Sequence, residues 1–210
     1  GTLGGSNLVV SGGTLDGRGI LTGQLGWTSG PLAAGAALTV RPTGRLEFAG
    51  SALKMLTGAL TNAGVITWAD SGGIVLRGSL VNLASGTFDV QNDEAINGYA
   101  GYFPFIVNEG LFAKSAGTNV TTVGIPFTNN GTVWADSGTI KFTGGGACGP
   151  GCAFTGVGQN VLASGTYTLN GLVRSENLVL SGATLTGVGT LNGSFDWTSG
   201  TISAGLSFNI

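Results

Sequence analysis

LTNAGVITWADSGGIVL, residues Leu60–Leu76, returns as FTNNGTVWADSGTIKF at Phe127–Phe142 with one residue missing before the tryptophan. Each copy starts with a small polar corner ending in Gly. An alternating apolar run follows, then Trp-Ala-Asp-Ser-Gly, then a second apolar run. Alternation of period two marks a strand with one buried face, and Ser-Gly supplies a sharp turn after it. A related corner, WTSG, stands at Trp27–Gly30 and Trp197–Gly200, so each of the four tryptophans begins such a corner. The tryptophans are expected to end strands and to pack near corners, since large aromatics mostly pack. Asp70 and Asp136 are expected to face the turn and accept backbone N–H groups.

Working outward, NLVVSGGTLDGRGILTGQLGWTSGPLAAG (Asn7–Gly35) aligns without a gap with NLVLSGATLTGVGTLNGSFDWTSGTISAG (Asn177–Gly205), identical at 17 of 29 positions. The chain therefore reads as one long 170-residue period, 7–35 recurring at 177–205, and the natural protein is expected to continue at both ends as a tandem array. Gly1 reads as the edge of a fragment or of a processed product. A finer period lies inside. Gly23, Gly44, Gly64, Gly86, Gly110 and Gly131 recur at near-even intervals, and the next landmark, Gly165, lies further off. The intervening CGPGC is read as an inserted loop, 144–156, on one coil.

Steps of about 20–24 residues between these glycines fall in the range of stacked repeats. With alternating runs such as RLEF, TFDV and TYTL they predict solenoid coils. No segment holds a helical apolar period, and glycine at this density penalises helix. A single coil cannot bury its own apolar face, so stacking must build the core. The expectation is one all-β unit over 1–210, with strands stacked in parallel on their counterparts ~4.8 Å above.

Composition agrees. Gly supplies 41 of 210 residues and charged residues only 9%, yet 42% are hydrophobic, too many for a disordered chain. Net charge is −2 with basic residues scattered singly, which makes nucleic acid an unexpected partner. No apolar run approaches the ~20 residues that span a bilayer, so membrane insertion is not expected. Histidine is absent, which removes the commonest general base and metal ligand.

The units Asn62–Val65, Asn108–Leu111 and Asn130–Val133, the GTL, GTF and GTY strand starts and the SGG turns carry a family likeness. The chain resembles the right-handed parallel β-helix regions of large secreted bacterial surface proteins, namely filamentous-haemagglutinin-like adhesins and autotransporter passenger domains. The resemblance implies a β-helix fold, an extracellular or cell-surface location and a structural, adhesive role. Its motifs speak to fold and compartment more than to activity.

Chemistry is sparse. The only dense acidic spot is Asp89, Asp93 and Glu94, with Asp89 in a strand and the other two on the turn that follows. A solvated turn is the reading taken, although Lys114 and Arg77 could stand as neighbours in stacked coils. Without His a serine triad is excluded, and no P-loop sequence occurs. No metal or cofactor is expected. Cys148 and Cys152 are expected to form a disulfide closing the CGPGC loop in an oxidising compartment; a pair of free thiols is the alternative. Thr-x-Thr occurs only at Thr166–Thr168 and Thr184–Thr186, too seldom for an ice-binding ladder. The sequons at Asn119, Asn130 and Asn192 follow from composition.

NGYAGYFPF (Asn97–Phe105) crowds Tyr99, Tyr102, Phe103 and Phe105 together. Two readings stand. The loop folds back and its rings cover apolar residues, which is the one preferred, or Tyr99, Tyr102 and Phe103 form an exposed surface suited to sugar rings. Exposure of Tyr99 and Tyr102 separates them. Taken together, the sequence predicts a non-enzymatic, structural and interaction segment that stacks end to end on copies of itself. The alternative is a β-helix that binds or degrades carbohydrate.

Overall fold

The computed structural model describes residues 1–210. It has 27 strands and no helix. Through most of the chain strands pair in parallel with those three places earlier and later, as Arg45–Phe48, Val65–Trp68 and Thr87–Val90 do. The molecule is a parallel β-solenoid of about 10 turns, each turn running over three faces. The first face holds Gln24–Ser29, Arg45–Phe48, Val65–Trp68, Thr87–Val90, Leu111–Lys114 and Thr132–Ala135. Lys54–Leu56, Ile74–Leu76, Ala95–Gly98 and Val120–Val123 lie on the second. Ala59–Asn62, Ser79–Asn82, Phe105–Asn108 and Phe127–Asn129 lie on the third.

The period-two alternation decides which side chains enter the column. On the first face Leu25, Leu46, Ile66, Phe88, Phe112, Val133 and Phe154 are successive partners, and all are buried. Each such side chain contributes about 1.5–3 kcal/mol when fully buried. Buried side chains of this kind form one continuous cluster from Leu21 to Leu191. Inside it the rings of Phe88, Phe112, Phe127, Phe142 and Phe154 follow one another with centroids 4.8–6.3 Å apart.

The corner from the third face to the first is held by amides. Asn62, Asn82, Asn108 and Asn129 are successive partners and almost wholly buried. Each carboxamide donates to the next, Asn62 to Asn82, Asn82 to Asn108 and Asn108 to Asn129, all at 2.8 Å. They also tie down backbone at the turn: Asn62 Oδ1 accepts from the Gly64 N–H at 3.1 Å, and Asn82 Nδ2 donates to Gly86 O at 3.2 Å. The glycines that mark the fine period close these corners. A Cβ on Gly131 would run into the carbonyl of Gly110 one coil below. Sequence reading keys the third amide unit to Asn130; the structure keys it to Asn129, and Asn130 is exposed.

Two expectations about the repeat change. Residues 144–156 are not an insertion, because Gly146–Cys148 and Ala153–Thr155 are ordinary ladder strands. Val133, Phe154 and Ser175 are evenly spaced successive partners, so the coil is not lengthened. Gly165 is a false landmark because it precedes a third-face strand, Thr166–Leu169; the true successor of Gly131 is Cys152.

The tryptophans do not share one setting. Trp27 and Trp68 are buried, with indole N–H groups donating to Gly30 O at 3.0 Å and Gly72 O at 2.8 Å. Trp134 points outward between the inward Val133 and Ala135, and Trp197 is 56% exposed on the last full coil. The missing residue before Trp134 is the cause, since a one-residue shift in a strand turns a side chain to the other face. Asp70 does accept a backbone N–H, but from Gly50 one coil below, at 2.7 Å.

The long period also meets the fold unexpectedly. Leu8 stands on the first face opposite Leu25, whereas Leu178, its counterpart in the second copy, stands on the second face opposite Asn160. Trp27 and Trp197 differ in the same way, one opposite Phe48 and the other opposite Leu180. The recurrence therefore covers eight turns and one face more.

Candidate functional site

The link from the second face to the third is short in one coil, only Arg77 and Gly78. In the next it runs over 99–104, and the extra length carries Tyr99, Tyr102 and Phe103. The Tyr102 N–H donates to Tyr99 O at 3.2 Å, closing a turn whose third residue, Gly101, has φ 84°. A type II turn needs that conformation, and glycine takes it without strain. The loop therefore reverses on itself instead of lying back across the sheet. Only Pro104 returns to the interior.

The rings are consequently open to solvent. Phe103 is 95% exposed, Tyr99 47%, Tyr102 46% and Phe105 45%. The reading in which the loop covers apolar residues is overturned, and the three residues named as a binding surface stand together on one projection. Tyr99 and Tyr102 meet edge to face, with centroids 6.0 Å apart.

Arg77 supports this projection from the coil beneath. Leu76 and Gly98 are partners, so the residues after them stack. The Arg77 guanidinium carbon lies 3.7 Å from the Tyr99 ring centroid and 5.1 Å from that of Tyr102. Its Nε is buried with no acceptor. A cation against ring faces is attracted by their quadrupoles, so Arg77 holds the two tyrosine rings from the coil beneath. The sequence leaves open whether Arg77 and Lys114 are neighbours; the structure puts them at different corners.

Between the loop and the corner of the following coil, Gly124–Pro126, lies a groove of about 590 Å³. Tyr99, Tyr102, Phe103, Pro104, Phe105 and the exposed Asn97 line it. No charged side chain lines it.

The acidic spot lies elsewhere and does different work. Asp89 faces outward on the first face and accepts from Gln91 Nε2 at 2.7 Å. Asp93 is paired with Lys114, which enters the column fully buried. Lys114 Nζ donates to Asp93 Oδ1 at 2.7 Å, Ala116 O at 3.0 Å, Thr121 Oγ1 at 3.1 Å and the carbonyl of Asn92. Burial pushes the Asp93 carboxyl up, but hydrogen bonds from Lys114 and Asn119 and the Lys114 charge outweigh it and hold it below the usual carboxylate range. Lys54 is buried as well, with Nζ donating to Ala52 O at 2.6 Å. Burial lowers its ammonium pKa, and Asp70 partly offsets that. These groups close turns. No three His, Cys, Asp or Glu side chains gather as a metal set.

Cys148 and Cys152 are joined in a buried disulfide, with Cα atoms 5.4 Å apart. Cys148 is the partner of Asn129. The bond thus stands in the amide column and fastens the same corner. No helix is long and apolar enough to cross a membrane. Comparison of the chain with protein families, with curated proteins and with solved structures finds no match.

Proposed function

We propose that the chain is a non-catalytic structural and interaction segment of a long extracellular repeat protein, an adhesin stalk or self-stacking fibre on a bacterial surface. The observation that carries this reading is the register of the column. Side chains stack on their counterparts from the first coils to the last, and the 170-residue sequence begins again within the same column. Such a unit gains length by addition, each coil resting only on its neighbours.

Stacking of this 210-residue chain on a second copy is part of the same proposal. The final coil turns Trp197, Phe208 and Ile210 to solvent, with Phe195 and Phe208 stacked 5.6 Å apart. An open strand edge can accept another chain. A contact between unlike ends does not close on itself and builds a filament. Sedimentation and electron microscopy of the 210-residue chain test this directly. Concentration-dependent rods one column wide are expected; a monomer at every concentration contradicts it. Sequencing the full-length protein tests the wider reading, which expects further copies of the long repeat.

A carbohydrate-binding role has one specific observation in its favour, the exposed aromatic groove. No carboxylate lines that groove, so a degrading enzyme is not proposed there.

A further inference from the structure

We infer that the groove beside the Tyr99–Phe105 loop binds a neutral saccharide, a short stretch of a glycan chain laid against Tyr102 and Phe103. The inference deepens the interaction role proposed above and rests on it only for presentation at a surface.

Three features point to that chemistry. The first is the combination of flat ring faces with free polar edges. A pyranose offers an apolar C–H face and a rim of hydroxyls. The groove offers exposed rings for the face. For the rim it offers the hydroxyls of Tyr99 and Tyr102 and the exposed carboxamide of Asn97; the one tyrosine hydroxyl bonded within the chain is that of Tyr167, which accepts from the Gly145 N–H. Second, the lining is uncharged. Arg77 packs its guanidinium against the Tyr99 ring and does not line the groove. A carboxylated or sulfated sugar would find no charged side chain in the lining to pair with, and a basic ligand no acid.

Size is the third feature. A groove of about 590 Å³ falls within the range of small-ligand sites, ~300–1,000 Å³. Only 11 residues line it, whereas a stable protein interface takes about 20–30 residues on each side. The platform is also formed in advance. The type II turn and the Arg77 contact hold the Tyr99 and Tyr102 rings before any ligand arrives, and the buried Pro104 anchors the chain next to Phe103. Arg77 is thus a positioning residue, acting through Tyr99.

The test is titration of the whole 210-residue chain with neutral gluco-, manno-, galacto- and chito-oligosaccharides, read by calorimetry and by saturation-transfer NMR. An acidic oligosaccharide and a proline-rich peptide run beside them. At least one neutral series is expected to bind, with saturation transfer to tyrosine and phenylalanine protons. Phe103→Ala and Tyr102→Ala should each weaken it tenfold or more. Both side chains are exposed, so the fold is unaffected, which circular dichroism checks. Val157→Ala, at a position 89% exposed elsewhere on the column, should bind as the parent does. Arg77→Met should weaken binding with the melting profile retained. The inference is overturned if no neutral oligosaccharide binds, if binding survives both ring substitutions, or if only the acidic sugar or the peptide binds. Phe103→Ala leaves the column ends untouched, so sedimentation of that variant reads stacking separately from sugar binding.

Discussion

Asn129 Nδ2 donates to the Sγ of Cys152 at 3.2 Å, so the column of amides ends on a disulfide. The disulfide stands where the next amide of the column would. Cys148 and Cys152 have a sequence separation of 4, as do Asn82 and Gly86 at the equivalent corner two coils below Asn129. Closing so short a loop is worth about 2 kcal/mol on chain-entropy grounds. Reductant should lower the melting temperature of the chain by ~4–8 °C, taking 2–4 °C per kcal/mol at this size. The double variant Cys148→Asn/Cys152→Gly should extend the amide column, fold, and melt at the same temperature with or without reductant. Thermal melts followed by circular dichroism check both outcomes.

Asn108 sits inside the column and, like Asn82 and Asn129, uses its carboxamide in four hydrogen bonds. It accepts from Asn82 and donates to Gly110 O, Asn129 Oδ1 and Thr132 O. Asn108→Ala strands several buried groups, each costing about 1–3 kcal/mol. The melting temperature should fall by roughly 6–12 °C, from a loss of about 3 kcal/mol at the same conversion. Asn130→Ala, one coil away and exposed, should leave it unchanged within about 1 °C.

Trp68 and Trp134 should respond oppositely to removal. Trp68→Ala empties a buried site and should cost about 3–5 kcal/mol. Trp134→Ala removes an outward ring and should cost under ~1 kcal/mol. Urea denaturation of the two variants separates these values.

Asp93 gives the column a pH dependence of definite sign. Its carboxyl is held below 3.8 in the folded chain, so the unfolded chain takes up the proton first as pH falls. The stabilisation is whole above about pH 4 and is lost as pH falls through the depressed folded value. Asp93→Asn should melt lower than the parent at pH 7, and the gap between them should narrow by pH 3. A gap that stays constant over this range would remove the Lys114–Asp93 pair from the account.

The solenoid was legible because two regularities survive in one sequence: the alternation within strands and the spacing of the corner glycines. What escaped was parity and phase. Lys114 follows Phe112 by two, so alternation already placed it inside; a charged side chain there was unexpected because its partners, Asn92 and Asp93, lie one coil away. Trp134 differs from Trp68 by one deleted residue, a small change in an alignment and a reversal in a strand. The long repeat was plain in the alignment, but the face on which it resumes depends on the summed lengths of intervening coils. Those lengths vary, from the short coil between the partners Leu8 and Leu25 to the long one between Phe88 and Phe112. In the loop, aromatic clustering was plain in the sequence. Its exposure was not, because it depends on the Tyr99–Tyr102 turn and on Arg77 in the coil below.

The most direct test of the stacked column is a distance between two outward first-face positions far apart in sequence. Glu47, Thr67, Asp89, Ala113, Trp134 and Thr155 are successive partners. Spin labels at residues 47 and 155, measured by pulsed electron resonance in the oxidised protein, should give one narrow distribution near ~24 Å, five coil spacings of ~4.8 Å. A broad distribution, or a centre beyond ~35 Å, well outside that spacing, would contradict the in-register column.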